Sequence, residues 1–355
     1  MNEQIKVLII EDSAFMRREL TKIVNCNPEF LVIGAAMDAK DGITMAKRLK
    51  PDIITIDFKL PDMDGITCLQ HIMIECPTPC IMISAYTKKD TIETFEALEL
   101  GAVDFIQKPS GEISKNIWDI SKEIHNKLKM ASIANLNALN RFEPISVEEK
   151  SAAIKDTNIP TAIVVIGVST GGPRVLMKIM PKIPKNIGVP ILLIQHMPQK
   201  FIPGFVERIN QYSSIEVKEA EQGELLLNNI VYVAKGGKNI LLSKNNKITI
   251  NVKIPSKNDL FVPSIDKGMN SAIDIFQDRC VGVILTGMCG DGSQAMERLY
   301  NLGGETIVES KETAVIFGMP QDVIKKNAAK IIAPAHEIAN KIQGAVNNVY
   351  LRKFK

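Results

Sequence analysis

Apolar residues in the first third of the chain form short continuous runs, and amphipathic segments separate them. Such runs are typical of strands buried on both faces of a parallel sheet. They cover Ile5–Ile10, Leu31–Ala35, Ile53–Ile56, Cys80–Ser84 and Asp104–Ile106. Between them, apolar residues recur at helical spacing in Ala14–Asn25, Asp41–Leu49, Gly65–Glu75 and Thr91–Leu100. The alternation of strand and helix patterns predicts a doubly wound α/β domain with five strands.

A second α/β pattern begins near residue 160. Its predicted strands are Thr161–Ile166, Pro190–Gln195, Ile230–Ala234, Lys247–Val252, Val281–Thr286, Glu305–Glu309 and Ala329–Ala333. The stretch Lys235–Val252 is typical of an antiparallel hairpin, with its turn at Lys244-Asn245-Asn246. We therefore expect a second doubly wound domain with a mostly parallel sheet and a β-hairpin insert.

The segment between the two patterns has few large apolar residues and many Asn, Ser, Glu and Lys. This composition is typical of a flexible connection. The predicted organisation is a domain over residues 1–126, a linker over 127–158 and a second domain over 159–352.

Size and hydropathy favour a two-domain protein of the cytoplasm. The 355 residues are long for a single core. No apolar run reaches the roughly 18 residues that span a bilayer, so we expect no membrane insertion. The six cysteines show no regular CxxC pairing, which favours free thiols in a reducing compartment.

The two halves of the chain have net charges of opposite sign. Residues 1–125 hold 14 Lys and Arg against 20 Asp and Glu, a net charge of −6. Residues 126–355 hold 29 against 20, a net charge of +9. These opposite fields suit docking of the halves or binding of the second half to acidic surfaces. The lysines form no dense basic stripe, so nucleic-acid binding is not expected.

Acidic residues lie where strands of the first domain end. Glu11 and Asp12 follow the first strand, Asp57 follows the third, and Ser84 and Lys108 end the fourth and fifth. Because the carboxyl ends of neighbouring parallel strands converge, these side chains are expected in one crevice. Three carboxylates favour Mg²⁺, and a lysine opposite can neutralise a phosphoryl oxygen. The predicted chemistry is phosphorylation of an Asp carboxylate.

A simpler interpretation is that the acidic residues only cap helices, which suits Asp12 or Ser13. It does not account for Asp57, Ser84 and Lys108 together. With these residues in place, residues 5–125 resemble the response-regulator receiver family, which has a flavodoxin-like fold. The matching motifs are Glu11-Asp12-Ser13, Asp57 with Leu60-Pro61 and Met63-Asp64-Gly65, Ser84-Ala85 and Lys108-Pro109.

The resemblance implies roles for single residues of the first domain. Asp57 is the implied phosphoacceptor, and Glu11 and Asp12 join it in binding Mg²⁺. Ser84 is the implied switch hydroxyl, Phe105 the switch aromatic and Lys108 the phosphate-facing lysine.

In the second domain, a serine follows the first strand on a glycine-rich turn. Ser169 precedes Thr170-Gly171-Gly172-Pro173, where glycines allow close backbone approach and Pro173 suits the first helical turn. Such a turn suits a nucleophile, but a phosphate-binding loop or an ordinary helix cap has the same pattern.

Two further strand ends favour catalysis. His196 follows the strand Pro190–Gln195, and Asp291, flanked by glycines, follows the strand that ends near Thr286. Serine, histidine and aspartate at three ends of one sheet supply a nucleophile, a general base and an orienting carboxylate.

Residues 160–350 resemble the catalytic domain of the chemotaxis protein-glutamate methylesterase family (CheB), an α/β domain of Rossmann-like architecture. The motifs are Gly167-Val168-Ser169-Thr170-Gly171-Gly172-Pro173, Gln195-His196-Met197-Pro198, Pro263-Ser264-Ile265-Asp266, Leu285-Thr286-Gly287-Met288 with Asp291-Gly292, and Gly318-Met319-Pro320. The resemblance implies that Thr170 helps to hold the imidazole and that the Met288 amide contributes to an oxyanion site.

The same resemblance implies the reaction and its partners. The implied activity is hydrolysis of glutamyl methyl esters on methyl-accepting chemotaxis receptors, with deamidation of receptor glutamines and no cofactor for the hydrolase. The implied phosphodonor is the chemotaxis histidine kinase. We further expect the unmodified receiver to pack over the serine site and phosphorylation to shift the population away from that state.

Cys289 departs from the family pattern, which has a glycine after Met288. If this position needs positive φ, Cys289 is strained by about 1–2 kcal/mol unless Gly290 takes the turn. Segment 309–313 is also more charged than the family pattern. The alternative functions are a nucleotide-binding output domain, which lacks the GxGxxG order, and a DNA-binding output, which needs a helix-turn-helix.

Overall fold

The computed structural model describes residues 3–85, 88–109, 116–140 and 159–352, without the side chains of 84–91, 140 and 352. The chain divides into two units, Met1–Phe142 and Glu143–Lys355. Each unit has a parallel sheet of its own. None of the helices in the described ranges is both long and apolar enough to cross a membrane.

The first unit confirms the predicted five-stranded doubly wound fold, and its strands pair in the order β2-β1-β3-β4-β5, all parallel. Its elements are β1 (Ile5–Ile10), α1 (Ala14–Asn25), β2 (Phe30–Ala36), α2 (Ala39–Leu49), β3 (Ile53–Asp57), α3 (Gly65–Glu75), β4 (Cys80–Ala85), α4 (Lys88–Leu100), β5 (Asp104–Lys108), a 3-10 turn (Ile117–Ile120), α5 (Ser121–Ser132) and α6 (Leu136–Asn140). The side chains of β1 and β3 are almost wholly buried, as their continuous apolar runs predict.

Side-chain caps set the first helices of this unit. Ser13 accepts a hydrogen bond from the Met16 amide at the start of α1, and Asp64 accepts one from the Thr67 amide at the start of α3. These caps satisfy amides that have no partner within the helix. Ser13 thus takes the capping role, and Asp12 remains beside Asp57 and Glu11.

The first unit continues beyond residue 126, where the linker was predicted to begin. Helix α5 runs to Ser132 and α6 follows, with Leu128, Ala131 and Leu139 buried. These side chains belong to the core of the unit, although the surrounding sequence is polar. Residues 141–158 of the predicted linker lie outside the described residues.

The second unit has a seven-stranded parallel sheet in the order β14-β13-β12-β6-β7-β9-β8. Its elements are β6 (Ile163–Val168), α7 (Gly172–Ile179), β7 (Ile191–Gln195), α8 (Ile202–Tyr212), β8 (Glu216–Glu219), β9 (Ile230–Val233), β10 (Asn239–Lys244), β11 (Ile248–Lys253), α9 (Ile265–Phe276), β12 (Cys280–Ile284), α10 (Ser293–Asn301), β13 (Glu305–Glu309), α11 (Gly318–Lys325), β14 (Ile331–Ala333) and α12 (Ala335–Arg352), with 3-10 turns at Met180–Lys182, Gln199–Phe201 and Gln277–Arg279.

The predicted hairpin is present as β10 and β11, which form a separate antiparallel pair. It packs against α9, where the Leu242 amide donates to the Ser271 hydroxyl at 3.0 Å. At the centre of the large sheet, β12, β6 and β7 are neighbours. Their carboxyl ends therefore share one edge, and this edge carries the candidate site.

Candidate active site and phosphoacceptor pocket

Ser169 lies directly after β6, on a turn that requires glycine. Its amide donates to the Thr286 carbonyl at 3.0 Å, and its carbonyl accepts from the Gly172 amide at 2.8 Å. Gly171 has φ 78°, and a Cβ there would lie 2.7 Å from the Val315 Cβ. Both the backbone angle and the close contact exclude a larger side chain, so the glycine-rich turn fixes where Ser169 lies.

Gln195, the last residue of β7, ties the Ser169 turn to the His196 loop. Its Nε2 donates to the carbonyls of Ser169 and His196, both at 3.0 Å, and only 2 % of the residue is exposed. A Cβ on Gly172 would lie 2.1 Å from the Gln195 Oε1, so that glycine makes room for the amide. We had not predicted this role, although an amide at the end of an otherwise apolar strand was the available signal.

His196 binds Asp291, as the placement of both at strand ends predicts. The His196 Nε2 and the Asp291 Oδ2 are 3.0 Å apart. Asp291 also accepts hydrogen bonds from the Ser264 hydroxyl at 3.1 Å and from the amides of Ile265 and Asp266 at 2.6 and 2.9 Å. The carboxylate therefore lies against the amino end of α9, where the helix dipole favours negative charge.

These contacts set the charge of Asp291. Burial alone raises the pKa of its carboxyl, but the hydrogen bonds from His196 and from the two α9 amides outweigh burial and lower the pKa. The orienting carboxylate is thus held in its ionised form, next to the imidazole.

A second carboxylate makes the reciprocal contact. Asp266, in the first turn of α9, accepts the Ala295 amide at 2.8 Å in the first turn of α10. Asp291 lies just before α10 and accepts amides at the start of α9. The first turn of each helix therefore donates to a carboxylate next to, or within, the first turn of the other. This exchange fixes the position of Asp291 through backbone amides that sequence patterns do not reveal.

Cys289 contacts the other side of the imidazole. Its Sγ lies 3.5 Å from the His196 Nδ1. Burial alone lowers the pKa of His196, but the contacts with Asp291 and Cys289 outweigh burial and raise this pKa to about 9. Both ring nitrogens are therefore engaged, Nε2 by Asp291 and Nδ1 by Cys289.

Backbone strain at Cys289 would arise only if this position needed positive φ. Neither Cys289 nor Gly290 is among the described residues with positive φ, whereas Gly292 has φ 95°. The left-handed conformation falls on Gly292, so the condition for strain at Cys289 is not met.

The loop that carries Met288 passes beside Ser169. A Cβ on Gly287 would lie 2.7 Å from the Ser169 Cβ, and the Gly287 carbonyl accepts the Met319 amide at 2.8 Å. The Thr170 carbonyl accepts the Thr286 hydroxyl at 2.9 Å. Thr170 thus lies in the Ser169 turn and Gly287, the neighbour of Met288, packs against Ser169, whereas the roles that the resemblance implies for Thr170 and Met288 stay predictions.

Glu309, at the end of β13, is a fully buried carboxyl behind this loop. It accepts the Thr286 amide at 2.9 Å and the Thr313 hydroxyl at 3.0 Å. Burial raises its pKa to about 7. The charged segment 309–313 therefore supports the Thr286 loop, a function that its sequence alone had not indicated.

The acidic pocket of the first unit assembles as predicted. Carboxylate oxygens of Glu11, Asp12 and Asp57 lie within 4.8 Å of one another. The buried Lys108 Nζ is 2.8 Å from the Asp57 Oδ2 and 3.1 Å from the Glu11 Oε2. Burial and the Asp57 charge raise the pKa of Glu11 to about 8, and the two carboxylates raise that of Lys108 against the effect of burial.

This pocket fits a hard divalent cation. The Glu11 Oε2 is buried and has no partner with hydrogen-bond geometry, although Lys108 lies within ion-pair distance. Three carboxylates, one of them with a buried oxygen that accepts no hydrogen bond, form a donor set of the kind that Mg²⁺ prefers.

The two implied switch residues lie on the neighbouring strands β4 and β5. Phe105 is buried, and the Lys127 Nζ lies 5.0 Å from the centre of its ring. The strand register pairs Ser84 with Gln107, next to Lys108. The Ser84 side chain lies outside the described residues.

Comparison with known proteins gives the family. The family model "CheB methylesterase" matches residues 164–342, and "Response regulator receiver domain" matches residues 7–116. A protein-glutamate methylesterase/protein-glutamine glutaminase of Carboxydothermus hydrogenoformans is 41% identical over 96% of this chain and 98% of its own. One of Pyrococcus abyssi is 38% identical over 98% of this chain and 95% of its own.

A solved structure agrees with these relatives. The crystal structure of the Thermotoga maritima CheB methylesterase catalytic domain is 38% identical and covers 52% of this chain and 99% of its own, with a TM-score of 0.51. The matches extend over both units in the same order as the two family models. The chain belongs to the CheB methylesterase family of receiver-linked hydrolases.

Proposed function

We propose that the chain is a phosphorylation-controlled protein-glutamate methylesterase that also deamidates protein glutamines. The contact between His196 and Asp291 at 3.0 Å, on the sheet edge that carries Ser169, is the observation that carries the proposal. The relatives that span nearly the whole chain have both activities in their names.

In the proposed reaction Ser169 is the nucleophile and His196 the general base. The serine oxygen attacks the ester carbonyl while its proton moves to His196, and a tetrahedral oxyanion forms. The oxyanion collapses as His196 gives its proton to the leaving methoxide, so methanol departs and the glutamyl group remains esterified to Ser169. The negative charge of Asp291 stabilises the imidazolium through both transfers.

Water completes the cycle by the same route. His196 takes a proton from the water that attacks the acyl-enzyme, and returns it to the serine oxygen as glutamate leaves. A glutamine substrate follows the same steps, with ammonia as the first leaving group. The Met288 amide is the proposed donor to the oxyanion, and Thr170 is the proposed support for the imidazole.

In the receiver, Asp57 is the proposed phosphoacceptor. Glu11, Asp12 and Asp57 would hold Mg²⁺, which when bound neutralises charge on the phosphoryl oxygens. Lys108 lies 2.8 Å from the Asp57 carboxylate and supplies a fixed positive charge beside the acceptor.

The remaining proposals concern how the signal enters and where it acts. Ser84 and Phe105 are proposed to report the phosphorylated state. The proposed phosphodonor is a chemotaxis histidine kinase, and the proposed substrates are methyl-accepting chemoreceptors reached from the cytoplasm.

A serine-reactive fluorophosphonate probe tests the hydrolase. We expect it to label the wild type and the control variant Ser132→Ala, whose hydroxyl lies on α5, and to leave Ser169→Ala unlabelled. Equal labelling of Ser169→Ala would contradict the assignment of the nucleophile. No labelling of the phosphorylated wild type would favour a phosphate-binding output instead.

A further inference from the structure

The loop between β11 and α9 borders the candidate site. We propose that this segment, residues 254–261 and called the rim loop below, is the docking surface for the protein substrate. Its exposed residues Ile254 and Leu260 contact apolar side chains that flank the reactive glutamyl group on that protein. The inference rests on the proposed function and adds where the substrate protein binds.

The rim loop reaches the general base directly. The rings of Phe261 and His196 stack, with centroids 5.6 Å apart and an angle of 12° between their planes. Phe261 is itself 36% exposed. One face of the imidazole is therefore covered by a ring that is partly at the surface.

Two large apolar side chains of the rim loop are almost fully exposed to solvent. Leu260 is 89% exposed and Ile254 is 84% exposed, and these are the two most exposed large apolar side chains of the described residues. Single exposed apolar residues are normal, but these two share one short loop that also places Phe261 beside His196, and we assign them to the interaction surface.

Hydrogen bonds hold the rim loop in place, so its exposed side chains project from a fixed backbone. The Asp259 carboxylate accepts from the Lys267 Nζ at 2.5 Å, from the Asn239 Nδ2 at 2.6 Å and from the Ser256 hydroxyl at 2.5 Å. Asn239 also accepts the Ser264 amide at 2.8 Å, and Ser264 in turn binds Asp291. The rim loop and the His196–Asp291 pair therefore share one frame.

The position of the rim loop next to the active site favours a protein substrate over a small ester as the molecule that binds it. An esterase for a free amino acid ester needs only the pocket around Ser169, whereas a glutamyl ester on a folded protein brings its neighbouring residues onto the rim. The rim loop carries Phe261 against His196 and two highly exposed apolar side chains, and apolar anchors carry much of the affinity of an interface.

The test compares a protein substrate with a small probe, using the full-length chain. The variant is Ile254→Asp/Leu260→Asp, which changes side chains already in solvent. The control is Leu302→Asp, which follows α10 at the opposite edge of the sheet and is 42% exposed in the wild type. The protein substrate is the methylated cytoplasmic region of a chemoreceptor, assayed by methanol release with and without acetyl phosphate. The small probe is the fluorophosphonate.

We expect the KM of the double variant for the receptor to rise at least about tenfold, because two apolar anchors are lost. Probe labelling should slow by no more than about twofold, since Ser169 and His196 are untouched. The control should match the wild type with both reagents.

Three results would overturn the proposal. The first is unchanged receptor turnover by the double variant. The second is an equal loss of reactivity toward receptor and probe, which would mean that the rim loop only supports the site. The third is faster receptor turnover by the double variant without acetyl phosphate, which would mean that the receiver binds the rim loop. If the wild type fails to react with the probe, the proposed function itself fails and the docking proposal falls with it.

Discussion

Cys289 gives the sharpest prediction, because its thiol lies at the imidazole nitrogen that the proposed reaction assigns to the Ser169 proton. The His196 Nε2 is bound to Asp291, so in the proposed reaction Nδ1, 3.5 Å from the Cys289 Sγ, receives this proton. Since Cys289 does not have positive φ, Cys289→Ala removes the sulfur without backbone strain. We therefore expect this variant to react faster than the wild type at neutral pH.

The size of the effect follows from two contributions. A weak hydrogen bond to sulfur that must break before the reaction costs about 0.5–1 kcal/mol, which is roughly two- to fivefold in rate. The second contribution is protonation. Asp291 and Cys289 raise the pKa of His196 to about 9 against the effect of burial, so only a minor, neutral fraction of the imidazole is available at pH 7 to act as the proposed base.

The sign of the pH dependence is fixed by that role. Reaction requires neutral His196, so the rate rises as the pH increases through its pKa. Removing Cys289 lowers this pKa, and each unit of decrease raises the neutral fraction at pH 7 about tenfold. The gain from Cys289→Ala should therefore be largest near neutral pH and shrink to the hydrogen-bond contribution above pH 9.

The assay is the rate of fluorophosphonate labelling between about pH 6 and pH 10. Cys289→Ser keeps a hydrogen-bond donor at this position and should fall between the wild type and Cys289→Ala. Cys76→Ala, which removes a thiol at the end of α3, is the matched control. Slower labelling of Cys289→Ala at every pH would refute the reasoning and show that the thiol positions His196.

Three further predictions follow from single contacts. Asp57→Asn should abolish the response of methanol release to acetyl phosphate while basal release persists; a retained response would exclude Asp57 as the acceptor. Gln195→Glu places a carboxylate oxygen against the carbonyls of Ser169 and His196, so kcat should fall at least about 100-fold with KM changed less, as steady-state kinetics would show; an unchanged kcat would contradict this. Buried Glu309, with its pKa raised to about 7 from 4.5, contributes stability that is present below pH 4.5 and lost as the pH rises through 7. As the pH rises from 4 to 8, the free energy of unfolding of Glu309→Gln should therefore increase by about 2–4 kcal/mol relative to that of the wild type. Melting temperatures of the two proteins that change in parallel over this range would refute the prediction.

The sequence predicted the fold well where burial alone determines structure. Continuous apolar runs placed β1 at its observed residues and β7 within one residue of its start, because both strands are covered on both faces. Strand β8 was missed. It is a four-residue edge strand, EVKE, with only Val217 buried, so it carries no apolar signal.

Site residues could be predicted where each of them follows the end of a strand. Ser169, His196 and Asp291 were placed by counting to the ends of three strands, and the structure brings the last two into contact. The partners of Asp291 could not be predicted, because Ser264 lies 27 residues away and the contact depends on how α9 meets α10.

The conformation at Cys289 could not be predicted for the same reason. Which residue of a loop takes positive φ depends on the contacts that the loop makes. Here Gly292 takes it, and a Cβ there would lie 2.7 Å from the Ile284 Cδ1, so both the backbone angle and the available space require glycine. The sequence offered Cys289 and Gly290 for this conformation, and the structure places it at neither.

The most direct test is methanol release from a methylated chemoreceptor by the full-length protein. We predict release by the wild type that increases with acetyl phosphate, and none above background by Ser169→Ala, with the wild-type glutamyl group trapped on Ser169 after an acid quench. Release by Ser169→Ala at the wild-type rate, or a wild type that releases no methanol with or without acetyl phosphate, would contradict the account.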